Sequence, residues 1–246
     1  MPRYGMVIDL DRCIGCRACL EACKVENKTP EGVFWMHVFR FEENTYPNTK
    51  VWFMPRPCMH CDNAPCVKVC PVGARYKRED GIVSTDWKRC IGCRYCEVAC
   101  PYGVNYFNWQ APSDGQYRDD WVYPEDMQDN DRPMPPWDNP RLDERYGEED
   151  RPTAGGGREK GVIEKCTFCT HRVENNLVPA CVDVCPQYAL HFGDLDDDKS
   201  VVSRILAQKS AFRLLEETDA QPRVHYVGGR APGDDVRSVD DMKARI

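Results

Sequence analysis

Sixteen cysteines divide into four groups of four, and the spacing inside each group limits what this 246-residue chain can fold around. The first group, Cys13, Cys16, Cys19 and Cys23, and the third, Cys90, Cys93, Cys96 and Cys100, both read C-x2-C-x2-C-x3-C. The second, Cys58, Cys61, Cys66 and Cys70, opens a four-residue gap in its middle, and the fourth, Cys166, Cys169, Cys181 and Cys185, an eleven-residue gap. No cysteine is left over. The run C-x2-C-x2-C-x3-C is the spacing that ligates [4Fe-4S] clusters.

The chemistry explains the spacing. A cubane offers one thiolate site on each of four irons, and a tight turn carrying three cysteines wraps one side, so the fourth ligand comes from elsewhere. In two-cluster ferredoxins the fourth cysteine of each run reaches the other cluster. Four runs therefore imply two ferredoxin-like modules and four [4Fe-4S] clusters. Between Cys70 and Cys90 the chain has room for a short hairpin, with the turn Glu79-Asp80-Gly81 between Arg75-Tyr76 and Ile82-Val83-Ser84, before it re-enters a cluster loop. That length pairs groups two and three in one module. Groups one and four then pair across the chain, with 5–9 and 190–194 as candidate strands beside them.

Other uses of the cysteines fit less well. Disulfide scaffolds are short and cysteine-dense, and a C-x2-C pair does not readily close on itself. Zinc ribbons use paired C-x2-C elements but have no role for the third cysteine of C-x2-C-x2-C. Group four, with its long gap, is where zinc competes best. Pro71, Pro101 and Pro186 follow the last cysteine of three groups, where proline stops a short helix that carries the fourth ligand. Lys24 stands in that place in group one, so the helix there is expected to run on through Val25 and Glu26, with a lysine near a cluster raising its potential. Gly15 and Gly92 lie inside the tight loops, where backbone passes close to sulfur.

The chain resembles the four-cluster iron-sulfur subunit of membrane-bound molybdopterin oxidoreductases, of the polysulfide and dimethyl sulfoxide reductase type. The likeness is carried by Tyr4 to Leu10, by Ala22-Cys23-Lys24-Val25-Glu26-Asn27 and by the segment from Cys58 through Asp62-Asn63-Ala64-Pro65-Cys66 to Pro71. It continues in Cys100-Pro101-Tyr102-Gly103, Lys165-Cys166-Thr167-Phe168-Cys169 and Phe192-Gly193-Asp194. It covers roughly residues 3–110 and 160–230. The resemblance implies one cluster on Cys13, Cys16, Cys19 and Cys185 and a second on Cys23, Cys166, Cys169 and Cys181. It implies a third on Cys58, Cys61, Cys66 and Cys100 and a fourth on Cys70, Cys90, Cys93 and Cys96. By the same resemblance the chain is a non-catalytic relay of single electrons between a molybdopterin catalytic subunit and a quinone-reactive integral membrane subunit. The relays of alternative complex III, of hydrogenases and of formate dehydrogenases are the competing assignments.

The expected fold is α+β, with a discontinuous ferredoxin-like module over 1–30 plus 160–200 and a second over 55–109. An acidic Pro/Gly-rich insertion spans 110–160 and a C-terminal extension 201–246. No apolar stretch of about 18 residues exists to span a membrane, and the N-terminus lacks the basic and apolar regions of a signal peptide. Attachment to the membrane is therefore expected through partners, on the outer face by preference. From Gln110 to Asp150 thirteen acidic residues face four arginines, and Trp121, Tyr123, Trp137 and Tyr146 are candidate anchors for a partner. The aromatic run 33–41 and Val51-Trp52-Phe53-Met54 read as a hairpin packed into the core. His60 and His171 adjoin cluster cysteines and are candidate tuning residues. A formal charge of −7, with no basic patch, no phosphate-binding glycine loop and no nucleophile elbow, argues against nucleic-acid binding, nucleotide binding and hydrolysis.

Overall fold

The computed structural model describes residues 1–27, 29, 32–109, 160–233 and 237–238. In chain order these form β1 (Tyr4–Asp9), α1 (Ala18–Asn27), β2 (His37–Glu43), β3 (Lys50–Arg56), α2 (Pro65–Lys68), β4 (Arg75–Lys77), β5 (Val83–Thr85), α3 (Tyr95–Val98) and β6 (Tyr106–Phe107). After the insertion come β7 (Ile163–Glu164), α4 (Thr170–Val173), α5 (Ala180–Asp183), β8 (Leu190–Asp194), α6 (Val201–Gln208), β9 (Ala211–Phe212), β10 (Val224–Val227) and β11 (Arg237–Ser238). Short helices and strands mix throughout, in an α+β arrangement.

The strands expected at 5–9 and 190–194 are β1 and β8, and they pair antiparallel from Tyr4 opposite Asp194 to Ile8 opposite Leu190. On its other edge β1 runs parallel to β10, giving a four-stranded sheet ordered β8-β1-β10-β9. Both faces of this sheet are covered. Met6, Ile8, Val224 and Tyr226 face the main core, while Val7 and Val227 meet Val202, Ile205 and Leu206 of α6. Burial on two sides explains why β1 is an unbroken apolar run rather than an alternating one.

The aromatic segments form the hairpin β2–β3, in register from His37 opposite Arg56 to Glu43 opposite Lys50. Trp35, Met36, Val38, Phe39, Phe41 and Met54 are buried in the main core, so core packing accounts for most of this apolar surface. The expected hairpin between groups two and three is β4–β5. Residues 110–159 lie outside the described residues, and with them the expectations for Trp121, Tyr123, Trp137 and Tyr146. The chain leaves for this stretch from β6 and returns into β7, and these two strands pair with each other. Behind them the buried carboxylate of Glu164 accepts hydrogen bonds from Trp35 Nε1 and Asn108 Nδ2, both at 3.2 Å.

Glu26, on the last turn of α1, ties that helix to α4 through His171 Nε2 at 2.7 Å and Arg172 Nη1 at 3.4 Å. Burial pushes the Glu26 carboxyl upward, but the hydrogen bond and charge of His171 and the charge of Arg172 outweigh it and hold the group below the usual carboxylate range. A carboxylate with a lowered folded-state pKa stabilises fully above its unfolded value, about 4.3, and loses that contribution as pH falls through the folded value. Glu26→Gln is expected to lower stability at pH 7 by about 1.5–3 kcal/mol, the range for a charge-assisted hydrogen bond. In thermal melts, the gap between the variant and the parent protein should close as pH drops below about 4.3.

Candidate iron-sulfur sites

The four cysteine groups share one local conformation. The residue just before the second cysteine is left-handed in every group: Gly15 at φ 70°, His60 at 43°, Gly92 at 66° and Phe168 at 54°. This turn swings the second cysteine round to the same side as the first. It also aims a backbone N–H at sulfur, Gly15 at Cys13, His60 N at Cys58 Sγ (3.5 Å) and Phe168 N at Cys166 Sγ (3.4 Å). Glycine adopts this conformation without strain, whereas a bulky residue is held there at a cost of roughly 1–3 kcal/mol. His60 and Phe168 hold each other: their rings stack with centroids 3.8 Å apart, joining groups two and four.

The short helices carry the third cysteine, not the fourth. Cys66, Cys96 and Cys181 sit on α2, α3 and α5. Those helices end at Lys68, Val98 and Asp183, so Cys70, Cys100 and Cys185 follow the helix end and precede the proline. In group one, α1 continues to Asn27 as expected and carries both Cys19 and Cys23. Lys24, however, does not face sulfur. Its Nζ donates to the carbonyls of Thr29 and Val33 at 3.0 and 3.2 Å and lies over the Phe34 ring, so it pins the loop after α1.

Cys13, Cys16, Cys19 and Cys185 line one hollow, walled by Val38, Pro55 and Leu190. Cys58, Cys61, Cys66 and Cys100 line a second, walled by Met59, Ala64, Val104 and Lys165. Cys23, Cys166, Cys169 and Cys181 are buried near one another. Asn27 Nδ2 spans the last set, 3.6 Å from Cys23 Sγ and 3.7 Å from Cys169 Sγ. Among the described residues, no three His, Cys, Asp or Glu side chains converge as a single metal ion requires. The cysteines instead surround volumes, a soft all-thiolate donor set that fits a cubane.

Burial pushes the thiols up: Cys19 and Cys166 to about 12, Cys66 and Cys169 to about 11, and Cys23 and Cys181 well above the ordinary value. Neighbouring thiols add to the rise at Cys19, Cys23 and Cys181. Such groups are protonated at neutral pH unless iron takes the proton's place, so ligation and folding are coupled.

Sequence reasoning placed His60 and His171 near clusters but not their roles. The His60 ring accepts from Val83 N at 3.1 Å, and burial together with Lys165, Arg223 and Arg75 holds it far below its usual pKa. Only its backbone N–H reaches sulfur. The His171 ring is engaged by Glu26. The residues missed were Asn27 and two buried cations beside the second hollow, Arg75 and Lys165. Lys165 Nζ donates to the carbonyls of Val83 and Cys166.

Two models described as 4Fe-4S dicluster domains match this chain, one over 49–114 and 156–195 and the other over 12–74. The arsenate respiratory reductase iron-sulfur subunit of Shewanella sp. is 42% identical over 92% of this chain and 96% of its own length. A selenate reductase subunit of Mesobacillus selenatarsenatis is 42% identical over 92% of this chain and 72% of its own length. The menaquinone reductase iron-sulfur cluster-binding subunit of Nitratidesulfovibrio vulgaris is 35% identical over 93% and 89%. The chain belongs to the family of iron-sulfur subunits of molybdopterin oxidoreductases. It is built from ferredoxin-like 4Fe-4S dicluster domains, its sixteen cysteines fit four [4Fe-4S] clusters, and it is a non-catalytic electron-transfer subunit of an oxidoreductase complex. No helix among the described residues is long and apolar enough to cross a membrane.

The loop geometry is open to test at Gly92, where an added Cβ would stand 2.0 Å from the carbonyl oxygen of Gly161. At Gly73, also left-handed, an added Cβ meets nothing within 4 Å. Gly92→Ala should lower the iron content of anaerobically purified protein, while Gly73→Ala should keep it, at a strain of about 1 kcal/mol.

Proposed function

We propose that this subunit carries single electrons along four clusters in a row, between a molybdopterin catalytic subunit and a quinone-reactive membrane subunit. The proposed ligand sets are Cys13, Cys16, Cys19 and Cys185; then Cys23, Cys166, Cys169 and Cys181; then Cys58, Cys61, Cys66 and Cys100; then Cys70, Cys90, Cys93 and Cys96. These sets divide into a module of groups one and four, over 1–30 plus 160–200, and a module of groups two and three, over 55–109.

The observation that carries the row is the succession of neighbouring sulfurs. Cys19 and Cys23 share α1, and Cys19 acts electrostatically on Cys181. The Cys58 thiol is the strongest charged influence on Cys166, which links the second and third sets. Arg75 touches both the third and the fourth. When bound, the cubanes supply one-electron steps at potentials that span about −700 to +450 mV according to their surroundings. The protein's part is to hold them in order and keep water from the inner ones.

The most exposed cysteines are Cys16 and Cys93, in the first and last sets of the row. Exposed apolar side chains neighbour each in the chain, Ile14 beside Cys16 and Ile91, Tyr95 and Val98 beside Cys93. Exposed apolar residues at both ends suit two partners, and the quinone partner is supported by the name of the menaquinone reductase relative. Attachment to the membrane is then peripheral and made through a partner, with the outer face our preferred side.

Serine substitution checks the ligand sets. Cys185→Ser and Cys16→Ser should disturb the same cluster in redox titrations followed by electron paramagnetic resonance, and Cys181→Ser and Cys23→Ser another. If Cys185→Ser behaves like Cys166→Ser, the assignment of group four is wrong. The partners are checked by affinity capture of the tagged chain from mildly solubilised membranes, with co-purifying subunits identified by mass spectrometry. A molybdopterin-type subunit with a multi-span membrane protein is expected. Multihaem cytochromes without a molybdenum subunit would move the chain to a quinol-oxidising assembly of the alternative complex III kind.

A further inference from the structure

Arg75, the first residue of β4, is 2% exposed and lies between two of the cysteine sets. Its backbone N–H points at Cys70 Sγ at 3.4 Å and its Nη2 at Cys96 Sγ at 3.5 Å. The charges it feels most are those of Cys66, Cys96 and Cys58. Nε and Nη1 find no hydrogen-bond partner among the described residues. A guanidinium is always charged, and burying one without a compensating anion costs several kcal/mol. Its hydrogen bonds go to two sulfurs of the fourth set, and Cys66 and Cys58 of the third act on it through their charge. The fork therefore matches negative charge on two clusters.

We propose that Arg75 is a positioning residue for electron transfer, a fixed positive charge shared by the clusters on Cys58, Cys61, Cys66 and Cys100 and on Cys70, Cys90, Cys93 and Cys96 that raises both reduction potentials. The inference rests on the ligand sets proposed above. Accepting an electron makes a thiolate-bound cubane more negative, and a buried cation, hydrogen-bonded to Cys70 and Cys96 and acting through charge on Cys66 and Cys58, stabilises that state more than the oxidised one. Because one guanidinium serves both clusters, it moves them together and leaves the other two, on the far side of Cys166, almost untouched. It also offsets the repulsion between electrons on adjacent clusters.

The test is a potentiometric titration of the purified full-length protein, monitored by electron paramagnetic resonance, for the parent chain, Arg75→Gln and Arg75→Lys, with iron counted in each. Arg75→Gln is expected to lower two of the four couples by at least tenfold in the reduced-to-oxidised ratio at fixed potential, about 59 mV for one electron. Arg75→Lys keeps the charge but not the planar fork and should move the same two couples in the same direction by less. If Arg75→Gln loses iron, the lysine variant decides alone, a shift confined to two couples supporting the proposal. No shift with iron retained, or an equal shift of all four couples, overturns it. A parent chain that binds too little iron for four clusters would instead overturn the ligand sets on which the inference stands.

Discussion

Placing four thiolates around one cubane demands a turn that brings two cysteines, three residues apart, to one side, and the rest of this fold follows from it. The turn needs a left-handed residue before the second cysteine. Two groups meet the demand with glycine, whose missing Cβ also makes room for Phe53 against Gly15 and for the Gly161 carbonyl against Gly92. The other two use His60 and Phe168, which could not stay left-handed separately without strain. Stacked at 3.8 Å, they make the conformation of one loop depend on the presence of the other. A local requirement of ligation thereby becomes a long-range contact between groups two and four.

The same coupling runs through the protonation of the thiols. Much of the sulfur lies where burial holds its proton tightly, so these thiols are neutral unless iron takes the proton's place. Binding iron displaces those protons, so ligation and folding are coupled, and a small domain of this type draws stability from the metal rather than from a large apolar core. The separate apolar cluster under α6, built from Val7, Val202 and Val227, is the part of the core that does not touch sulfur.

What the sequence made legible was what spacing encodes. The four groups, the strands beside groups one and four, the two hairpins and the long first helix all depend on residues near one another in the chain. The features it did not reveal join distant positions. β10 is only four residues long, and nothing in Val224-His225-Tyr226-Val227 says that it lies parallel to β1 rather than at an edge. His60 and Phe168 carry no glycine to advertise a left-handed backbone. Lys24 looked like a charge for a cluster because it adjoins Cys23, but its long side chain reaches the carbonyls of Thr29 and Val33 instead. Arg75 sits in a strand beside Tyr76 and Lys77, where a basic residue reads as solvated. Its burial shows only once β4 is packed over the second and third groups.

Charge balance makes the last link between fold and function. Four clusters carried on sixteen thiolates would concentrate negative charge in a chain whose formal charge is already −7. Repulsion between reduced neighbours would then oppose a second electron entering the row. The fold answers at the centre, where water is least available to screen. Arg75 is buried against the sulfurs of groups two and three, Lys165 stands between the second hollow and Cys166, and Arg56 lies buried with Cys100 among its charged neighbours. At the ends, Cys16 and Cys93 are open to solvent, which screens charge without help from the protein. In the proposed row, buried cations in the middle and solvent at both ends would keep like-charged centres reducible along its length, and no linear spacing of cysteines alone could supply that.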